Sequence, residues 1–230
     1  SSDFLKEHKK KGVICENLSE LKNNYSKYGS FPGGFDIQEF ILGPESNLIN
    51  FIGIYNKNSE PVAVFFNRKV RTSGPLLSCS LMETDWSDTA IEYSNKLIKK
   101  IGYYGYANLE YKIDPRDGSI NLMEINGRVS MSNSHSLLCG INLPLSMYEE
   151  AIGHCNFSQK NFYCNYNKRI LWWCPTAEIR TILKLFGPGE MTWRNYLSSF
   201  KCNKITIEPF NLKDPMPGFT ELLSFVKGGA

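Results

Sequence analysis

Apolar and polar residues alternate most regularly between Tyr104 and Arg128, and this stretch predicts two strands joined by a turn. Leu109, Tyr111 and Ile113 alternate with Asn108, Glu110 and Lys112, the period of a half-buried strand, and Asp-Pro-Arg-Asp-Gly at 114–118 supplies turn residues. In the second strand Ile120, Leu122, Glu124 and Asn126 share one parity, so an acid and an amide are expected to continue a face that begins as core. Leu48 to Tyr55 and Pro61 to Val70 read as long apolar strands of a second hairpin, joined by Asn-Lys-Asn-Ser-Glu. Gly12 to Cys15 and Phe35 to Ile41 also read as strands. One helix is expected from a cap at Asn17 or Ser19 to Gly29, with Leu18, Leu21, Tyr25 and Tyr28 on its apolar face. A second is capped by Trp86-Ser87-Asp88, turns Ile91, Leu97, Ile98 and Ile101 inward, and ends at Gly102. Beyond Gly153 the pattern predicts a strand at Arg169–Cys174, a helix at Thr176–Phe186 stopped by Gly187-Pro-Gly, a helix at Met191–Phe200 and a strand at Lys204–Glu208. The adjacent Trp172 and Trp173 read as packing residues.

A chain of 230 residues can bury a full core, and 42% hydrophobic with 21% charged residues is ordinary for a globular protein of one or two domains. A net charge of +3 calls for no special partner, and the dense basic run from Lys6 to Lys11 lacks the aromatic residues of a nucleic-acid patch. The seven cysteines, Cys15, Cys79, Cys139, Cys155, Cys164, Cys174 and Cys202, include no Cys-x-x-Cys pair, which fits reduced thiols in a cytoplasmic protein. His135, Cys139, His154 and Cys155 match no usual zinc spacing. No apolar run reaches membrane-spanning length and the first residues are not a signal peptide, so a cytoplasmic protein without a membrane or nucleic-acid partner is expected.

Candidate chemistry lies in the two hairpins. If the first is centred near Asp117, Glu110 faces Glu124, and like charges on neighbouring strands repel unless something positive sits between them. Two carboxylates and the Asn126 amide are hard oxygen ligands suited to magnesium, which leaves positions for water and substrate phosphates. The alternatives are an exposed acidic face or a register that separates the two acids. In Asn67-Arg-Lys-Val-Arg71, Arg68 and Lys69 point to opposite faces while Lys69 and Arg71 share one, presenting two cations together. That pair suits a polyphosphate or a carboxylate, or else is a solvated strand end.

Glu110 in its strand, followed across an Asp-Gly turn by Glu124-Ile-Asn126-Gly-Arg128, resembles the magnesium-binding signature of the ATP-grasp superfamily, Glu-x-Asn-x-Arg. The likeness continues through Ser132 to Gly140-Ile-Asn-Leu-Pro144 and a helix ending near Gly153. The resemblance implies an α+β fold: the C-terminal half of an ATP-grasp domain over residues 1–154, an antiparallel sheet flanked by helices, with a small α/β extension over 155–230. The strands near 35, 50, 65, 109 and 123 would form the sheet, with the helices near 20 and 95 on one side. The family's lysine-bearing strand and glycine-rich loop are expected upstream of Ser1, so the chain reads as truncated at its N-terminus.

The resemblance also implies ATP and Mg2+, with the metal held by Glu110, Glu124 and Asn126. Adenine would meet Gln38, Glu39, Phe40 and Ile41, Glu45 would reach the ribose, and Arg128, Arg71, Lys69 and Arg68 would serve the phosphates and the reaction. Lys204-Ile-Thr-Ile-Glu and Asp214-Pro-Met-Pro are similar to the tail of carboxylate-amine ligases of the D-aspartate ligase type. The implied activity joins a small carboxylic acid to an amine through an acyl phosphate. A non-catalytic ATP sensor or scaffold, and a carbamoyl-phosphate-forming or biotin-carboxylase-like enzyme, are the alternatives.

Overall fold

The computed structural model describes residues 2–8, 12–32, 34–72, 79–154, 169–186, 191–211 and 213–226. The basic residues Lys9 to Lys11, residues 73–78, Cys155, Cys164 and the Gly187-Pro-Gly stop lie outside them. Seven strands form one sheet: β1 (Leu48–Tyr55), β2 (Pro61–Thr72), β3 (Cys79–Thr84), β4 (Gly105–Ile113), β5 (Ile120–Asn126), β6 (Ile170–Trp173) and β7 (Lys204–Ile207). Their spatial order is β5-β4-β1-β2-β3-β6-β7; every neighbouring pair is antiparallel except β6 and β7. The α+β architecture expected from the sequence is therefore present. The segment expected as a separate extension after His154 supplies β6 and β7 to this same sheet.

The helices are α1 (Ser2–His8), α2 (Leu18–Tyr28), α3 (Asp88–Ile101), α4 (Asn133–Leu138), α5 (Leu143–Ala151), α6 (Pro175–Phe186), α7 (Trp193–Ser199) and α8 (Met216–Val226). α3 starts where the Ser87 side chain accepts the Ala90 N–H and stops where Gly102 takes φ of 65°, a left-handed conformation that suits glycine. It packs on the sheet face carrying Ile49, Phe51, Tyr55, Phe66, Leu109 and Tyr111. Each such side chain contributes roughly 1.5–3 kcal/mol on burial. Ala90 and Ser94 let the helix approach closely, and the Ser94 hydroxyl meets the Tyr111 hydroxyl at 2.6 Å. α4 and α5 lie over the opposite face, where Ile52, Ile54, Phe65 and Tyr106 pack with Ile141 and Leu143.

Several expected elements differ. Gly12–Cys15 and Phe35–Ile41 pair with no strand among the described residues. Phe35 packs instead into an aromatic group with Phe4 and Phe31, while Ile37 and Leu42 are exposed, so the apolar face of the segment is not buried against a sheet. The fifth antiparallel partner is β3, whose adjacent Leu81 and Met82 gave no alternation to read. Ile101 is 54% exposed although a place on the inner face of α3 is expected of it, and Leu18 and Tyr25 of α2 are exposed as well. α2 meets the rest of the chain through Tyr28, which stacks edge-on against Phe4.

Candidate functional site

The β4–β5 turn is built as its sequence requires. The Asp114 carboxylate accepts the Arg116 N–H, Gly118 adopts φ of 75°, and Ser119 O closes the loop on Asp114 N at 2.8 Å. From this turn the register places Glu110 opposite Glu124 and Asn108 opposite Asn126. The expected facing acids are present, but the face does not begin as core. Met123 is an extra residue in β5, so Leu122 faces Tyr111 on the α3 side while Glu124 and Asn126 come up on the other side with Glu110. Without that bulge, the parity shared by Leu122 and Glu124 would have put the acid beneath α3.

A second bulge separates the cations. Lys69 pairs with Met82 and Arg71 with Leu81, adjacent residues that alternate across β3, so Val70 is the extra residue and the expected shared face of Lys69 and Arg71 is not formed. Lys69 stays on the Glu110 side. Its stem crosses β1 between the strands, and its ammonium donates to Glu110 Oε2 at 2.8 Å. Burial pulls the Lys69 pKa down, but the charge and hydrogen bond of Glu110 outweigh it, with a lesser contribution from Glu124, and the pKa lies above the ordinary lysine value.

Arg71 instead forms an ion pair with Glu178 of α6 at 2.6 Å and sits over the Tyr196 and Phe200 rings, wholly inside the protein. Arg68 turns to the opposite sheet face, where its guanidinium meets Glu83 at 2.5 Å and Asp85 at 3.8 Å. Of the three expected cations on β2, Lys69 alone meets the Glu110 carboxylate. Arg128 lies two residues past the end of β5, so strand parity does not aim it. It is exposed, makes no ion pair among the described residues, and lies near the Tyr106 hydroxyl, where it opposes the burial that raises that tyrosine's pKa.

The segment from Gln38 to Ile41 meets the β4–β5 turn. Glu39 binds Arg116 at 2.7 Å, and Arg116 also chelates Asp114, whose carboxyl the Arg116 hydrogen bonds hold below the usual carboxylate range. Lys112, on the Glu110 face of β4, donates to the Gly43 and Pro44 carbonyls at 3.2 and 3.0 Å, just before Glu45. Burial lowers its pKa. Gln38, Glu39 and Phe40 are exposed, and Glu45 opens a short 3-10 turn into β1.

Sequence reasoning missed a row of buried asparagines on this face. Asn50 donates to Asn67 at 2.9 Å, Asn67 Nδ2 lies 3.4 Å from His135 Nδ1, and His135 Nε2 is 3.0 Å from the Ile170 carbonyl. His135 therefore carries its proton on Nε2. Burial outweighs the Ile170 carbonyl and Glu83 and lowers its pKa to about 4, so it is neutral. Asn50 Oδ1 and Asn108 Oδ1 are buried without a hydrogen-bond donor among the described residues. The available signal was the interruption of two apolar strands by Asn50 and Asn67.

The donor set fits magnesium. Asn126 Nδ2 donates to Glu124 Oε1 at 2.8 Å, which turns the amide nitrogen inward and leaves Asn126 Oδ1 and Glu124 Oε2 as oxygen donors beside Glu110. No group of three or more His, Cys, Asp or Glu side chains that could hold a metal occurs among the described residues, which leave out Cys155. The described cysteines form no disulfide, and burial pushes the Cys79 thiol up to about 12. No helix is long and apolar enough to cross a membrane among the described residues.

Residues 58–171 match a family model described as ATP-grasp in the biosynthetic pathway with Ter operon. The chain is 25% identical over 178 residues to D-aspartate ligase of Enterococcus faecium, covering 73% of this chain and 41% of that protein, so it spans well under half of the relative's length. Its fold is similar to the biotin carboxylase domain of Hydrogenobacter thermophilus 2-oxoglutarate carboxylase, solved with MgADP, ADP and bicarbonate. That match has a TM-score of 0.51 at 20% identity and covers 66% of this chain and 36% of the other. The hairpin signature, the family model and the sequence relative concur: residues 58–171 of the chain belong to the ATP-grasp superfamily.

Proposed function

We propose that this chain forms the metal- and nucleotide-binding part of an ATP- and magnesium-dependent ligase that joins a carboxylic acid to an amine through an acyl phosphate. The observation that carries the reading is the register that sets Glu110 against Glu124, with Asn126 beside them and Lys69 as their cation. Glu110, Glu124 and Asn126 would hold Mg2+, which when bound neutralises charge on the ATP phosphates. Phosphoryl transfer depends on positioning and charge stabilisation more than on covalent help, so an acid pair, an amide and nearby cations are an adequate set.

Gln38 to Ile41 would offer backbone groups to adenine, and Glu45 would accept hydrogen bonds from the ribose hydroxyls. The Glu39–Arg116 and Lys112–Pro44 contacts fix that segment beside the metal hairpin. Lys69 and Arg128 are the cations left to meet phosphate. The likeness to D-aspartate ligase supports a small carboxylate and an amine as the substrates. The test is release of ADP and phosphate by the full chain across a panel of amino acids and small acids. Release that requires both an acid and an amine, and that Glu124→Gln abolishes, is expected. Nucleotide binding without acid-dependent ADP release would instead identify a sensor.

A further inference from the structure

The positive charge beside the proposed metal ligands already belongs to the protein. Glu110 and Glu124 face each other across β4 and β5, and Lys69 reaches Glu110 from β2 by spanning the whole of β1. The lysine and glutamate side chains are 15% and 21% exposed, so the ion pair is largely screened from water and strongly felt by anything that binds there. The neighbouring cations are committed elsewhere: Lys112 to the Gly43 and Pro44 carbonyls, Arg68 to Glu83, Arg71 to Glu178. Among the described residues, Lys69 alone balances the acid pair.

We propose that Lys69 and the divalent cation compete for Glu110, so that the metal enters together with a polyphosphate that takes over the displaced ammonium. The inference rests on the metal assignment above and adds an order of binding to it. The acids carry two negative charges and Lys69 returns one, which leaves a site with a single negative charge. A bare divalent ion approaching Glu110 would have to sit beside an ammonium already bonded to that carboxylate. Like charges at such a distance in a half-buried site oppose its entry. A polyphosphate removes the opposition by giving Lys69 an alternative anion while bringing its own oxygens to the metal.

The experiment is Mn2+ titration of the full chain, followed by electron paramagnetic resonance, with and without inorganic tripolyphosphate. Wild-type, Lys69→Met, Lys69→Arg and Glu110→Gln proteins are compared. Without tripolyphosphate, Lys69→Met is expected to bind Mn2+ roughly fivefold or more tightly than wild-type, whereas Lys69→Arg, which keeps the charge, stays near wild-type. Tripolyphosphate is expected to tighten Mn2+ binding more in wild-type than in Lys69→Met. Circular dichroism checks the fold, and Lys69→Gln repeats the titration with a polar side chain. Equal or weaker Mn2+ binding by both neutral variants, with binding lost in Glu110→Gln, overturns the competition but keeps the metal site. Unchanged binding in Glu110→Gln overturns the metal assignment itself.

Discussion

Removing the Arg71 guanidinium separates a structural role from a catalytic one. Arg71 and Glu178 are 3% and 1% exposed and approach to 2.6 Å. The arginine also donates to Ser199 and lies 4.8 and 5.0 Å from the Tyr196 and Phe200 ring centroids, so it ties β2 to α6 and α7 at once. Arg71→Met leaves Glu178 charged and buried without its ion-pair partner, a change that costs about 3–5 kcal/mol. In a protein of this size each kcal/mol moves the melting temperature by roughly 2–4 °C, so a drop of about 6–20 °C is expected in a thermal melt. The charged atoms approach closely, yet Arg71 Nε and both Glu178 oxygens make no well-angled hydrogen bond. Removing both charges in Arg71→Met/Glu178→Leu should therefore recover most of the loss. An Arg71→Met protein that melts within about 2 °C of wild-type but has lost turnover would refute this reasoning and return Arg71 to the chemistry.

His135 stays neutral in the native protein because its pKa is lowered from 6.5 to about 4, whereas in the unfolded chain it is free to take up a proton. Stability should therefore fall as pH drops from about 6.5 to about 4 and level off below, by about 3 kcal/mol in all, and urea titrations of His135→Gln should show a flatter profile over that window. Glu39→Ala removes the solvent-exposed pair with Arg116 and leaves Arg116 on Asp114, so amide exchange of residues 38–42 should accelerate while the melting temperature barely moves. Arg128→Ala should leave the affinity for ATP nearly unchanged while lowering kcat by roughly a hundredfold, as expected of a contact made mainly in the transition state; steady-state kinetics against nucleotide titration separates the two.

Local periodicity made the two hairpins, the caps of α3 and the facing of Glu110 and Glu124 legible in the sequence. These depend on residues close together in the chain, such as Ser87 with Ala90 or Asp114 with Gly118. The bulges were not legible. Nothing in Met123 or Val70 announces an extra residue, yet each reverses the face of the strand residues beyond it and thereby decides which charges meet. Phe35 to Ile41 alternates like a strand but finds no neighbour to pair with, whereas β3 pairs on both edges without alternating. Pairing over long range overrode the pattern in both cases. Arg71 was misread for the same reason: its counter-ion is more than a hundred residues away in sequence, on α6.

The asparagine row explains how a face with so few charges can be held in place. The chain of contacts from Asn50 through Asn67 and His135 to the Ile170 carbonyl joins β1, β2, α4 and β6, so the strands bearing Lys69 and facing Glu110 are tied to the C-terminal part of the sheet. Every link is uncharged. An aspartate at any of these positions would add a carboxylate to an acid pair that has a single lysine to balance it, and would compete with Glu110 for that lysine. Amides fix the geometry without changing the charge. Leaving Asn50 Oδ1 and Asn108 Oδ1 without donors costs about 1–3 kcal/mol each. Such acceptors, fixed in a buried row beside Glu110 before any ligand arrives, do not have to reorient when charge develops nearby, and that is the property by which a site of fixed dipoles stabilises charge better than water does.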